Sequence, residues 1–195
     1  MIDFLRKLHS CVKDLFFAKM NSDCIKEFAL KPIKETRLKD DFYVIPFDKK
    51  YSETLDFIYA LLSSEKELSG RNKKMTESSG EYLVFLLADK AENKIAGAEF
   101  YYFNERDKKE KTVHQGFRGI LPEYQGKGLG TCLTKFACSA FSESKLCGVS
   151  SRVSRNNPAS FYSNKKAGFE VTEKYFDPKI NEERYYMKNI FKRQK

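Results

Sequence analysis

Leu129, Cys132, Leu133, Phe136, Ala137, Ala140 and Phe141 recur at i, i+3, i+4, i+7, i+8, i+11 and i+12, which predicts an amphipathic helix with one buried face. Upstream, EYLVFLLAD (81–89) and KIAGAEFYYF (94–103) are apolar almost throughout and flank a turn at KAEN, so they predict a hairpin of two buried strands. TVHQGFRGILP (112–122) predicts a third strand, in which Gly116 and Gly119 mark a bulge or a close backbone approach. FYVIPF (42–47) predicts a short strand. SETLDFIYALLSSEKEL (52–68) predicts a helix capped by Ser52, with Leu55, Ile58, Tyr59 and Leu62 on one face. Residues 69–80, rich in Gly, Asn, Lys and Ser, predict a mobile loop, and ERDKKEK (105–111) a charged turn.

KLCGVSSRVS (145–154) reads as a strand. Asn157 before Pro158 starts a short helix that Gly168 ends, and FEVTEKYF and ERYYMKNIF supply two final strands. At the N-terminus, Ile2, Leu5, Leu8, Val12, Leu15 and Phe16 form one helical stripe. The stripe either packs on the main domain or a partner, or lies on a membrane surface; the mixed charge of the polar face favours the first. Residues 21–40, polar and interrupted by Pro32, read as a connection. The chain thus divides into an N-terminal extension (1–40) and a main domain (41–195) that ends in a short basic tail. The order of elements predicts an α/β (α+β) fold: a mixed, largely antiparallel central sheet flanked by helices.

Composition narrows the class. Of 195 residues, 41% are hydrophobic and 14% aromatic, enough for a real core. The net charge of +9 invites polyanions, but acidic residues interrupt the basic ones, and no stacking-aromatic or helix-turn-helix signature argues for nucleic acid. Five cysteines at 11, 24, 132, 138 and 147 show no C-x-x-C spacing, which argues against a disulfide framework or a metal site and for a reducing, cytoplasmic setting. No apolar run reaches the roughly 18–20 residues of a membrane span.

The densest chemical signal is GILPEYQGKGLGTCLTK (119–135), which places Gly126, Gly128 and Gly130 between a strand and the clearest helix. The first turn of a helix has unpaired N–H groups and a partial positive charge, and glycines let an anion approach them; Lys127 adds a formal charge. The stretch has no Gly-Lys-Ser/Thr of a P-loop, and Thr131 stands where a dinucleotide fingerprint needs its last glycine.

What it does contain is Q-x-x-G-x-G, as Gln125 to Gly130, and this closely resembles the acetyl-coenzyme-A motif of the GCN5-related N-acetyltransferases. NPASFYSNKKAGFE (157–170) resembles the same family's Asn-x-Ala/Ser…Gly-Phe segment, and the likeness spans roughly residues 41–190. The resemblance implies an acyl-CoA N-acyltransferase-like fold, acetyl-CoA as co-substrate, and an amine as acceptor by direct attack. It implies that the strand end at Gly119, Ile120 and Leu121 pairs with the pantetheine arm. The diphosphate would sit on Gln125, Gly126, Lys127, Gly128, Gly130 and Thr131, with Asn157 near the thioester.

The family's acid, a tyrosine four residues before the glycine of Gly-Phe, falls on Asn164 here. Tyr162 is the nearest tyrosine; at two residues' distance it lies about 200° around the helix, so it serves as the acid only if the register shifts. Otherwise it is a core residue, or the thiolate leaves without a side-chain acid. For the base, Glu99 and His114 are the candidates, the latter for titration near neutrality. Cys132 and Cys138 read as core packing and Glu123 as surface. The acceptor side is expected in 51–80 and 104–111, with Tyr101, Tyr102 and Phe103 as slot or strand packing. The departure at Asn164 keeps open a second possibility, a non-catalytic acyl-CoA-binding or interaction module.

Overall fold

The structure is a computed structural model that describes residues 2–63 and 65–192, and only the helical backbone of residues 2–7. The side chains of Ile2 and Leu5 in the predicted stripe, and Arg193, Gln194 and Lys195 of the basic tail, lie outside that description.

The elements are α1 (Ile2–Glu27), β1 (Thr36–Lys39), β2 (Phe42–Pro46), α2 (Ser52–Leu62), α3 (Gly70–Leu83), β3 (Val84–Asp89) and β4 (Lys94–Tyr102). There follow α4 (Glu105–Glu110), β5 (Thr112–Ile120), α5 (Leu129–Ser142), β6 (Gly148–Ser154), α6 (Pro158–Lys166), β7 (Glu170–Asp177) and β8 (Glu182–Ile190). The strands form one sheet in the order β1-β2-β3-β4-β5-β6-β8-β7. Every pairing is antiparallel except β5 with β6.

Strand alternation decides which helix covers which face. Phe85 meets Phe141 and Phe136 of α5 edge-on, with centroids 5.4 and 6.2 Å away, and Tyr101 meets Phe141 at 4.9 Å. Phe100, one residue earlier, points the other way, to Tyr59 of α2. Such ring pairs add about 0.5–1.5 kcal/mol each beyond the area they bury. α5 and α6 therefore lie on one face, and α1 to α4 on the other. The predicted stripe of α5 matches burial: Leu129, Leu133, Ala137 and Phe141 are buried, and Cys132, Phe136 and Ala140 half-buried.

Four expectations are corrected. Residues 69–80 are not a loop but most of α3, whose Met75, Thr76, Ser79 and Leu83 are buried. Its glycines let neighbours come close, Gly80 the Phe47 ring and Gly70 the Asp14 carboxylate of α1, contacts that composition alone disguises as loop character. The helix predicted over 52–68 stops at Leu62, and Ser52 is its first residue rather than its cap, the cap position falling on Tyr51 with no side-chain cap bond. The charged turn at 105–111 is a short helix, because the Asn104 side chain accepts from the Arg106 and Asp107 amides and so caps it. The connection at 21–40 holds the last turns of α1 and the strand β1, and Cys24, Ile25, Phe28, Leu30 and Ile33 enter the main core.

The N-terminal stripe is also reassigned. Leu8, Val12, Leu15 and Phe16 are 40–68% exposed. α1 instead turns Phe17, Ala18, Asn21, Cys24 and Ile25 inward. Asn21 fixes that orientation: its amide bonds the Phe103 backbone both ways, accepting at 2.6 Å and donating at 3.3 Å. Tyr101 and Phe103 are fully buried, so they serve packing.

The two outermost strands are irregular. β1 shifts register between Arg37 and Lys39, and β7 between Val171 and Glu173; β7 also carries Glu170, Glu173, Lys174 and Asp177.

Candidate functional site

The β5–β6 ladder runs from Thr112 opposite Gly148 to Gln115 opposite Ser151 and ends there, although β5 continues to Ile120 and β6 to Ser154. The cause lies on the other side of β5. Phe100 pairs with Phe117 and Tyr101 with Gln115, so Gly116 is an extra, bulged residue. A Cβ there would sit 2.6 Å from the Phe100 and Tyr102 rings, which only glycine avoids. The bulge turns β5 away from β6 and opens a cleft of about 480 Å³, walled among others by Leu62, Arg118, Ile120, Gly128, Thr131 and Ser160.

The glycine turn borders this cleft. A single tight turn at Pro122–Tyr124 precedes it, anchored by buried Tyr124 against the edge of Phe42. Gly126 and Gly128 have φ of +77° and +75°, and a Cβ on either would meet no atom within 4 Å. The Cys132 amide is the first to fold back into the helix, donating to the Gly128 carbonyl at 3.1 Å. Among the described residues, the amides from Gly126 to Thr131 find no protein acceptor. Lys127 holds its ammonium 5.3 Å from the Tyr124 ring centre, and Lys39 reaches the Lys127 carbonyl. Unsatisfied amides, positive φ and nearby cations make an anion seat.

Groups on four of the expected residues, Ile120, Leu121, Gln125 and Asn157, already have protein partners. The Gln125 amide donates to the Pro122 carbonyl, and the Leu121 amide to Ala96. The Gln125 side chain donates to the Ile120 carbonyl at 2.8 Å. Asn157 caps α6, accepting from the Ser160 amide at 2.9 Å. Across the cleft wall the Thr131 and Ser163 hydroxyls bond at 2.8 Å and tie α5 to α6.

Beneath α5 and α6 lies a polar network that local spacing does not reveal. Arg118 donates from Nη1 to Thr134 Oγ1 at 2.8 Å and to Asn164 Oδ1 at 2.9 Å, and from Nη2 to Ser160 Oγ at 3.4 Å. Asn164, fully buried, donates to Gln115 Oε1 at 3.2 Å and to Ser151 Oγ at 3.1 Å. Glu99 accepts from Thr134 at 2.9 Å and from the Gln115 amide.

Glu99 thus faces α5, fully buried, and not the cleft. Burial pushes its carboxyl up from the usual range, and the Arg118 charge pulls it partway back. The available signal for this network was a charged residue inside each of two neighbouring strands, Glu99 in KIAGAEFYYF and Arg118 in TVHQGFRGILP.

His114 does not titrate near neutrality. It is buried on the opposite face of β5, and burial, with Arg152, Arg184 and Arg106 around it, pushes it down from 6.5 to about 3. Ser150 donates to Asp107 Oδ1 at 2.6 Å, so the imidazole carries its hydrogen on Nδ1 and donates it to Ser150 Oγ, also at 2.6 Å. The unfolded chain protonates this histidine at a higher pH than the folded one. Stability is therefore expected to fall as pH drops from 6.5 toward 3, by about 1.4 kcal/mol per pH unit from this group. Urea titrations across that window should show a shallower acid limb for His114→Asn; an equal slope would mean that the imidazole is not buried neutral.

Tyr162 is 64% exposed and touches only the edge of Phe161 among ring contacts, so α6 keeps the register that puts Asn164 inside. It is neither core nor aimed at the cleft. Cys132 and Cys138 lie on α5 as helix packing.

No protein-family model matches the chain, and no curated protein matches it in sequence. Solved structures do match in shape. Naa50 of Arabidopsis thaliana, in complex with a bisubstrate analogue of CoA and a peptide, superposes with a TM-score of 0.66 at 20% identity, over 78% of this chain and 100% of that one. The ribosomal-protein-S18-alanine N-acetyltransferase of Escherichia coli gives 0.63 at 14%, over 79% and 96%. A chimeric spermidine N-acetyltransferase SpeG, from Vibrio cholerae and hSSAT, gives 0.61 at 15%, over 77% and 96%. The chain has the acyl-CoA N-acyltransferase-like fold of these proteins.

Proposed function

We propose that the cleft between β5 and β6 binds acetyl-CoA and that the chain transfers the acetyl group to an amine. One observation carries this reading: the free amides of Gly126 to Thr131 open onto the place where β5 and β6 part. A diphosphate fits that cradle, because the built Cβ positions of Gly126 and Gly128 meet nothing. Lys127 and Lys39 add charge beside it. The pantetheine arm would lie along Gly119 and Ile120, with Asn157 at the opposite wall. When bound, acetyl-CoA supplies an activated acyl carbon, and the chain holds it still and shields it from water.

The amine would enter from the α2–α3 side, past Tyr59 and Phe117, whose rings lie 5.0 Å apart on that face. In this reading the first half of α1, with its exposed Leu8, Val12, Leu15 and Phe16, is an extension open to a partner or a membrane surface. No described helix is long and apolar enough to cross a membrane.

The test is calorimetric titration with acetyl-CoA, followed by thiol release across a panel of peptide N-termini, lysine side chains and polyamines. Tight binding with turnover on one class is expected. Binding without turnover on any amine would favour a non-catalytic acyl-CoA-binding module, the reading that exposed Tyr162 and buried Asn164 keep in view. No binding would remove the cleft as the site.

A further inference from the structure

Arg118 is a half-buried cation whose hydrogen-bond partners among the described residues are all neutral: Thr134, Asn164 and Ser160. A guanidinium has five N–H donors, and these bonds engage three of them. Glu99, opposite Arg118 on β4, acts on it electrostatically but is bonded to it only indirectly, through the Thr134 hydroxyl and through Asn164 and Gln115. With no anion bonded to it directly, the guanidinium keeps donors for one that arrives during function. Arg118 lines the cleft, deeper than the glycine turn: its side chain passes Gly130, at the start of α5, and ends at Thr134, one turn further on.

Its position is set with care. Asn164 accepts from Arg118 through Oδ1 while Nδ2 is committed to Gln115 and Ser151, so the amide cannot flip without losing three bonds. The Thr134 hydroxyl, which accepts from Arg118, gives its one hydrogen to Glu99 Oε1 at 2.9 Å or to the Gly130 carbonyl at 3.1 Å.

Resting on the acetyl-transfer reading, we propose that the Arg118 guanidinium receives the departing CoA thiolate, with Asn164 and Thr134 as its positioning residues. The amine nitrogen bonds the acyl carbon and the C–S bond breaks. Its electron pair stays on sulfur, and the proton of the new ammonium passes to solvent. A tyrosine acid would protonate that sulfur; here a fixed positive charge stabilises it as the anion. Asn164 then stands where a tyrosine is expected because its work is to aim the guanidinium.

The deciding experiment titrates the thiol of CoA bound to the full chain, following thiolate absorbance in the ultraviolet. In the wild-type complex the thiol pKa should lie at least about one unit below that of free CoA in the same buffer. Arg118→Met should return it to the free value while CoA still binds, Arg118→Lys should keep part of the shift, and Asn164→Ala should weaken it. A bound thiol with an unshifted pKa overturns the proposal and leaves the binding site standing. A shift that survives in Arg118→Met overturns it too, and assigns the effect to the α5 N-terminus. Should Arg118→Met fail to fold, Arg118→Lys and Asn164→Ala carry the same comparison. Failure of wild-type protein to bind CoA removes the acetyl-transfer reading itself.

Discussion

Gly128→Glu is expected to lower acetyl-CoA affinity by at least about 100-fold while the protein stays folded. A carboxylate a few ångströms from a diphosphate is repelled by about 4 kcal/mol per charge pair at a surface-like dielectric, well above what 100-fold requires. The substitution also forces a residue with a side chain to hold φ near +75°, which costs about 1–2 kcal/mol. Gly128→Ala carries the same backbone cost without the charge, since its Cβ meets no atom within 4 Å. Alanine should therefore melt slightly earlier and bind within about tenfold of wild type, by calorimetry and thermal denaturation together. If glutamate and alanine bind alike, the phosphate seat is not at this turn.

The second large effect concerns the opposite face of the sheet. Asp107, on α4, is fully buried, and its Oδ1 accepts from Thr112 at 2.6 Å, Ser150 at 2.6 Å and Tyr186 at 3.4 Å. One carboxylate thus fastens α4 to β5, β6 and β8. Asp107→Ala strands three hydroxyl donors away from water, and the expected loss is about 3–5 kcal/mol. For a chain of this size that is a fall of roughly 10 °C in melting temperature. Asp107→Asn keeps an acceptor and should lose less. Equal melting temperatures for wild type and Asp107→Ala would show that α4 is not held through this residue.

How much of this could be read in advance follows from where each signal is stored. The α5 helix, the glycine turn and the Asn157 cap are written in local spacing, and the structure reproduces all three. α3 was hidden because its core face is made partly of small residues that bury well only when Phe47 and α1 are there to meet them. The inward face of α1 was hidden for a related reason: Asn21, a polar residue at its centre, is buried because it completes the Phe103 backbone. For the site, spacing located the turn, but not that the Gln125 and Leu121 amides would be taken by Pro122 and Ala96. Nor could it show that a bulge at Gly116 brings Gln115 and Arg118 onto the same face as Glu99. That pairing depends on the register between two strands.

The placement of irregular strands has a consequence for handling the protein. Because β1 and β7 are both kinked by a register shift, and β7 is studded with charge, neither flank of the sheet offers a flat template to a neighbouring chain. The backbone free to take on a new partner lies instead at the interior fork, walled by α5 and α6. Concentrated solutions of the folded chain should accordingly resist fibril growth by strand addition.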